Sequence, residues 1–143
     1  MAESPRAGRV REIVARRARH SCEYCRSQER YSPDPFSIEH IVPRSRGGDD
    51  EDANLAFSCQ GCNNLKYTSV EAADPETNQL VPLFHPRRDR WNDHFAWSDD
   101  LTRIIGITPT GRATVAKLQL NREGIVNLRA VLAAAGRHPP HES

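Results

Sequence analysis

The sequence predicts an α+β chain in which short strands and helices gather around a cysteine staple. Three observations lead there. Apolar residues recur at helical spacing near both ends, at Val10, Ile13, Val14 and Ala18 and again at Ile125, Leu128, Leu132 and Ala135. Between them lie brief β-branched and aromatic runs bounded by turn residues. Two Cys-x-x-Cys pairs, Cys22/Cys25 and Cys59/Cys62, account for every cysteine.

Taken in order, residues 5–20 read as a helix. Pro5 suits a first turn, and Arg9, Arg16 and Arg19 lie mostly opposite the apolar stripe, although Arg17 intrudes on it. Residues 31–35, rich in proline, are loop. Phe36, Ile38 and Ile41 mark a strand ended by Pro43. Residues 44–53 form a polar loop with Gly47-Gly48 and an acidic run. Leu55 to Ser58 is a second strand. A helix follows Cys62 through Lys66 to about Ala73, stopping before Pro75. Residues 74–93 are mostly loop, anchored by Leu80, Val81, Leu83 and Phe84. Phe95 and Trp97, then Ile104, Ile105 and Ile107, read as two strands joined by a Ser-Asp-Asp turn. Thr108-Pro109 is an N-cap and first helical position for a helix to about Leu120. Asn121 caps a last helix that Gly136 and Pro139-Pro140 end. There are no repeats or heptads.

The 143 residues, 37% hydrophobic and 27% charged, suffice for one domain with a modest core, which gains from a staple. Two Cys-x-x-Cys pairs can supply four thiolates for tetrahedral zinc, about one ion per chain. The 33 residues between the pairs require an insertion between the knuckles. A closed four-thiolate site has no open position for substrate, so this zinc is structural. Neither pair sits in a βαβ pattern, which argues against thioredoxin-like redox chemistry.

The insertion carries Glu39-His40-Ile41-Val42-Pro43, Gly47-Gly48 and Asn54-Leu55, and runs into Cys59-Gln60-Gly61-Cys62-Asn63-Asn64-Leu65-Lys66. This order resembles the HNH nuclease family. The resemblance implies a ββα-metal finger, a hairpin followed by a helix around one metal ion, here with a four-cysteine zinc. Many members carry histidine where this chain has Asn63. The His-Asn-Asn variant is similar, as in the nuclease domain of RNA-guided CRISPR effectors, whose Asp-His-Ile-Val-Pro becomes Glu-His-Ile-Val-Pro here. The stretch from Leu83 through Leu128, with Trp-x-Asp-His-Phe and Thr-Pro-x-Gly-Arg-Ala-Thr-Val, looks like a tail found on many small bacterial HNH proteins. The expected organisation is a basic N-terminal helix (1–21), a zinc-stapled core (22–73) and a C-terminal extension packed on it (74–143).

Phosphodiester hydrolysis needs a nucleophile, relief of charge at phosphorus and a stabilised leaving oxygen. Imidazole can take a proton from water near neutral pH, which makes His40 the candidate general base. By the resemblance, Glu39 and Asn63 hold a catalytic divalent ion, Asn54 braces the loop that positions the His40 backbone, and Lys66 faces the scissile phosphate. An amide oxygen in place of imidazole shifts the expected metal to Mg2+ or Mn2+. Adjacent residues of a strand point to opposite faces, so Glu39 and His40 can cooperate only if the strand ends there. Taken singly, each residue has a plainer role: a surface ion pair for His40, a turn for Asn54, a helix cap for Asn63, a solvated charge for Lys66.

The net charge of +1 announces no global basic field. Its distribution is uneven. Residues 1–30 hold eight arginines and four glutamates, and residues 31–66 hold six acids and three bases. Arg9, Arg16, Arg19, Arg44 and Arg46 are the candidate nucleic-acid contacts, with DNA, or else RNA or single-stranded DNA, as partner. No apolar run spans a bilayer and the N-terminus lacks an export signal, so the expected setting is the cytoplasm. His20, His85, His94, His138 and His141 have no spacing that commits them to a site, and Trp91 and Trp97 read as core anchors. The alternatives to a nuclease are a zinc-stabilised nucleic-acid-binding module and an interaction subunit of a defence system. Target, strand number and oligomeric state are not encoded in any motif.

Overall fold

A computed structural model describes residues 5–140; residues 1–4 of the basic N-terminal segment and His141 lie outside the described residues. Helix α1 spans Pro5–Arg17. It stops earlier than its periodicity predicts because Arg19 and His20 take left-handed backbone, with φ of 57° and 56°. Its buried face is Val14, Ala15 and Ala18, while Ile13 of the predicted stripe is exposed. The face is rotated because two arginines fill it. Arg11 donates to Phe36 O at 2.5 Å and lies over the Phe57 ring, and Arg17 donates to Leu55 O at 2.6 Å. The arginine that broke the apolar pattern is a tether.

Strands β1 (Ser37–His40) and β2 (Leu55–Ser58) pair antiparallel, with His40 opposite Leu55 and Ser37 opposite Ser58. Helix α2 (Gln60–Lys66) follows at once. The predicted continuation to Ala73 fails, because Tyr67 leaves helical geometry at φ 49° and ψ −116°. The residues beyond it instead form β3 (Glu71–Ala73), paired with β4 (Leu80–Pro82). The turn between them is organised by Asp74, which accepts from Glu76 N–H and the Thr77 hydroxyl and from the Arg112 guanidinium at 2.8 and 3.0 Å. The Arg112 contact comes from 38 residues away, so sequence periodicity reads the segment as loop.

A single turn, α3 (Trp91–His94), leads into β5 (Phe95–Trp97), which pairs with β6 (Ile104–Gly106). Helix α4 (Pro109–Leu118) is capped by Thr108 Oγ1, which accepts from Gly111 N–H at 3.0 Å. Helix α5 spans Glu123–Ala134, with Arg122, not Asn121, at its N-cap. Asn121 instead bonds both backbone groups of Ile104, at 2.7 and 2.9 Å, as a strand neighbour would.

One apolar core joins the two halves. Val14, Tyr24, Phe57, Phe84, Trp91, Phe95, Ile104 and Leu118 bury together with all four cysteines. Trp91 Nε1 donates to Tyr24 O at 3.0 Å, fastening the second half to the first knuckle. Trp97 packs on Trp91 and His138. Leu83 and Phe84 are buried anchors, whereas Leu80 is exposed.

Candidate functional site

The knuckles close first. Cys22, Cys25, Cys59 and Cys62 are buried, with sulfur atoms all within 4.8 Å of one another. A tetrahedron with Zn–S bonds of about 2.3 Å has edges of roughly 3.8 Å, and Cys25 Sγ lies 3.7 Å from Cys59 Sγ. Four soft donors at that spacing fit zinc. Cys59 also caps α2, its sulfur accepting from Cys62 N–H at 3.4 Å, so the cap expected of Asn63 falls to a cysteine. Hydrogen bonds from Cys22, Cys59 and Cys62 push the Cys25 thiol well below its ordinary range, while burial pushes Cys22 well above it. The Arg122 guanidinium lies over the cluster, 3.7 Å from Cys59 Sγ and 3.7–3.8 Å from Cys62 Sγ. No spacing in the sequence announces Arg122, which arrives from the far half of the chain.

The hairpin divides its two chemical residues. Both Glu39 and His40 remain within β1, so the pleat turns them to opposite faces. His40 is partly exposed. It borders an open groove of about 810 Å3 shared with Ala7, Val10, Arg11, Ile38 and Gln60. His40 Nε2 lies 2.7 Å from Asp50 Oδ1, and Arg44 donates to the same oxygen at 2.6 and 3.1 Å. The Arg44 guanidinium, then His40, hold the Asp50 carboxyl below its usual range, so Asp50 is an acceptor and His40 Nε2 carries the proton. The lone pair of a neutral His40 therefore sits on Nδ1. Asp50 belongs to the acidic run that the sequence offers only as loop.

Asn54 is buried and ties the loop shut. Its Oδ1 accepts from Val42 N–H at 2.8 Å, and its Nδ2 donates to Val42 O and Asp49 O at 2.9 and 2.8 Å. Gly47 sits at φ 88°, and a Cβ on Gly48 would stand 1.7 Å from Val42 O, so the turn after β1 requires both glycines.

Glu39 lies on the α2 side, 4% exposed. Tyr24 Oη donates to its Oε1. Lys66 Nζ stands 2.8 Å from its Oε2, as an ion pair off the hydrogen-bonding direction, and donates to Ile41 O at 2.8 Å. Burial raises the Glu39 carboxyl, with Lys66 opposing. Lys66, expected to face a phosphate, is instead 1% exposed and closes the carboxylate expected to hold a metal. Asn63 is half-buried between Gln60, which bonds Ser37 at 2.7 Å, and Lys66, and by helical spacing shares their face toward β1. Glu39 and Asn63 thus share a side, His40 takes the other, and in this arrangement the carboxylate offers no open face to Mg2+ or Mn2+.

Of the candidate nucleic-acid arginines, Arg9, Arg16, Arg19, Arg44 and Arg46 are all exposed. Arg16 pairs with Glu12, Arg44 with Asp50, and Arg46 donates to Thr68 O at 2.6 Å. Among the described residues no helix is long and apolar enough to cross a membrane.

Residues 22–69 match the family described as HNH endonuclease. No curated protein and no solved structure matches the chain.

Proposed function

We propose that this protein hydrolyses phosphodiester bonds in DNA with His40 as general base, in keeping with the match of residues 22–69 to the HNH endonuclease family. The observation that carries the reading is the His40–Asp50–Arg44 array at the edge of an open groove. His40 Nδ1 accepts the proton of a water whose oxygen bonds to phosphorus while the P–O bond to the leaving sugar oxygen breaks; that oxygen takes a proton from solvent water, and the Asp50 carboxylate holds the ring by Nε2 and stabilises the imidazolium that forms. Asn54 holds the turn that follows His40. Arg44, 69% exposed at its side chain, is available to a phosphate oxygen. The four cysteines would hold zinc, which would supply rigidity to the base of α2. Glu39 and Asn63 do not fit a divalent ion while Lys66 closes the carboxylate.

The test is incubation with supercoiled plasmid, single-stranded DNA and RNA, in magnesium, manganese or chelator. His40→Ala should lower cleavage by about 10²–10⁴-fold, the usual worth of a positioned base, with DNA binding retained. His40→Ala protein that cuts normally would sink the mechanism. The buried Glu39–Lys66 pair favours a second reading, a nucleic-acid-binding module without cleavage. That reading wins if wild-type protein binds DNA and cuts it under none of these conditions.

A further inference from the structure

One exposed side chain stands apart from the rest of the surface. Single apolar residues in solvent are ordinary, as at Ile13, Leu80 and Val131. Tyr67 is 78% exposed. Among the described residues it is the large exposed apolar residue that also holds positive φ, at 49° with ψ −116°. A bulky side chain there is a backbone outlier, because its Cβ crowds the neighbouring carbonyl groups. Glycine is the unstrained choice just past the end of a helix. Among the described residues the Tyr67 ring meets no other ring or cation, and its hydroxyl has no hydrogen-bond partner. One residue therefore combines backbone strain with apolar exposure, and no ring or hydrogen-bond contact offsets either.

The residues flanking Tyr67 hold it in place from both sides. Lys66 Nζ donates to Ile41 O at 2.8 Å, and Arg46 donates to Thr68 O at 2.6 Å. Both ties run to residues 41–46, the segment that follows His40. Tyr67 N–H still bonds Asn63 O, and Ser69 N–H bonds Lys66 O, so the turn is closed as well as tethered. Arg44 and Arg46 belong to a single 3-10 turn, Arg44–Arg46. Through Arg44 that turn reaches Asp50 and hence His40, and through Arg46 it reaches the residue after Tyr67. One loop thus positions both the candidate base and the exposed ring. Strain that surrounding structure enforces in this way concentrates at ligand contacts.

A fixed aromatic ring in water, tied to a loop that receives nucleic acid, matches one part of that ligand. Phosphates and sugars offer it no flat apolar surface, whereas every base carries a π-face. Within a duplex those faces are stacked on one another, and an unpaired base presents one freely. We propose that Tyr67 is a stacking platform for an unpaired base close to the bond presented to His40, so that single-stranded DNA is the preferred substrate; the proposal rests on the nucleic-acid reading above. The ring supplies a strand preference that arginine contacts do not, since phosphates are present on duplex and single strand alike.

The test uses full-length protein in a His40→Ala background and the anisotropy of a labelled single strand, with relaxed closed-circular plasmid as an end-free duplex competitor. Tyr67→Ala should weaken single-strand binding by about 5–150-fold, the range for losing one base–aromatic stack, and leave the duplex affinity unchanged. Tyr67→Phe should bind as the parent does. The loss should be equal at every salt concentration, because no phosphate contact is removed. A fully abasic strand, which keeps the phosphates and lacks the bases, should bind parent and Tyr67→Ala alike. Tyr67→Gly, which relieves the strained backbone, should lose the same affinity while keeping or raising the melting temperature. An undiminished single-strand affinity in Tyr67→Ala, an equal loss on duplex or abasic strand, or a melting temperature of Tyr67→Gly that falls along with binding would overturn the proposal. So would a parent that binds no single strand, or light scattering in which Tyr67→Ala dissociates a dimer while DNA binding is unchanged, which would assign the ring to a second copy of the chain. A selective loss in Tyr67→Ala from a protein whose His40-intact form never cuts upholds the platform and sinks the nuclease reading alone. Cleavage with no such loss does the reverse.

Discussion

The thiol cluster and the β1–β2 hairpin share α2, yet they end in opposite conditions. The cluster converges: four identical donors from two knuckles meet within 4.8 Å of one another, with Cys25 and Cys59 3.7 Å apart, near the edge length of a zinc tetrahedron. The hairpin diverges: Glu39 and His40, adjacent in sequence, finish on opposite faces, one sealed by Lys66 and Tyr24 and the other open beside Asp50. A metal-binding knuckle is a local turn, so spacing alone aims its sulfurs. A strand alternates its side chains, so neighbours cooperate only where the pleat is broken. Here the pleat runs through His40. One pole is completed by its own loop geometry, and the other has its carboxylate claimed by a lysine three residues beyond Asn63.

The largest expected effect breaks the converging pole. Cys59→Ser removes a zinc ligand and the cap of α2 at once, and should leave the chain largely unfolded, because zinc binding free energy is folding free energy in small domains. Circular dichroism and elemental analysis check this; a folded variant with a full zinc complement contradicts it.

Next comes the diverging pole. Lys66→Ala strands a buried Glu39 carboxylate and should cost about 3–5 kcal/mol in urea unfolding. Replacing both partners, Glu39→Gln with Lys66→Met, should recover most of that loss. If the single substitution is neutral, the pair does not hold α2 on the hairpin.

A smaller effect probes the far half's grip on the cluster. Arg122→Met keeps the packing and removes the charge above Cys59 and Cys62, so zinc affinity should fall by about 10–100-fold, the usual cost of losing an outer partner. Chelator competition measures it, and unchanged affinity would reduce Arg122 to a helix cap.

The smallest effect lies outside both poles. Arg112, aided by Glu76 N–H and the Thr77 hydroxyl, holds the Asp74 carboxyl down to about 2. Asp74 is sealed by these partners although it lies close to the surface. A depressed folded value means stability present above the unfolded value of about 3.9 and lost as pH falls toward 2. Wild type should therefore melt higher than Asp74→Asn at neutral pH, with the gap narrowing between about pH 4 and pH 2. A gap independent of pH would show that the charge is not what organises the β3–β4 turn.

These comparisons mark how far the sequence reaches. Contiguous, chemically explicit signals came through: the β1–β2 hairpin, the paired cysteines, the Thr108 cap, the β5–β6 strands and the glycine turn. The α1 stripe was misread at Ile13 because arginines, usually counted as solvent-facing, pack Arg11 and Arg17 against the hairpin. The α2 boundary was missed because nothing local to Tyr67 forbids a helix; the β3–β4 pairing and the distant Arg112 decide it. Asn121 resembled a cap but serves as a strand neighbour of Ile104.

By itself the sequence determined which donors are available, how the cysteines are spaced, and that a histidine follows a carboxylate on an extended segment, because each of these is a property of neighbouring residues. Tertiary structure alone decided that Lys66 claims Glu39, that Asp50 meets His40 and that Arg122 lies over the thiols. Each of those contacts joins residues separated by turns whose course depends on the packed core, and burial, not sequence distance, sets which charges meet.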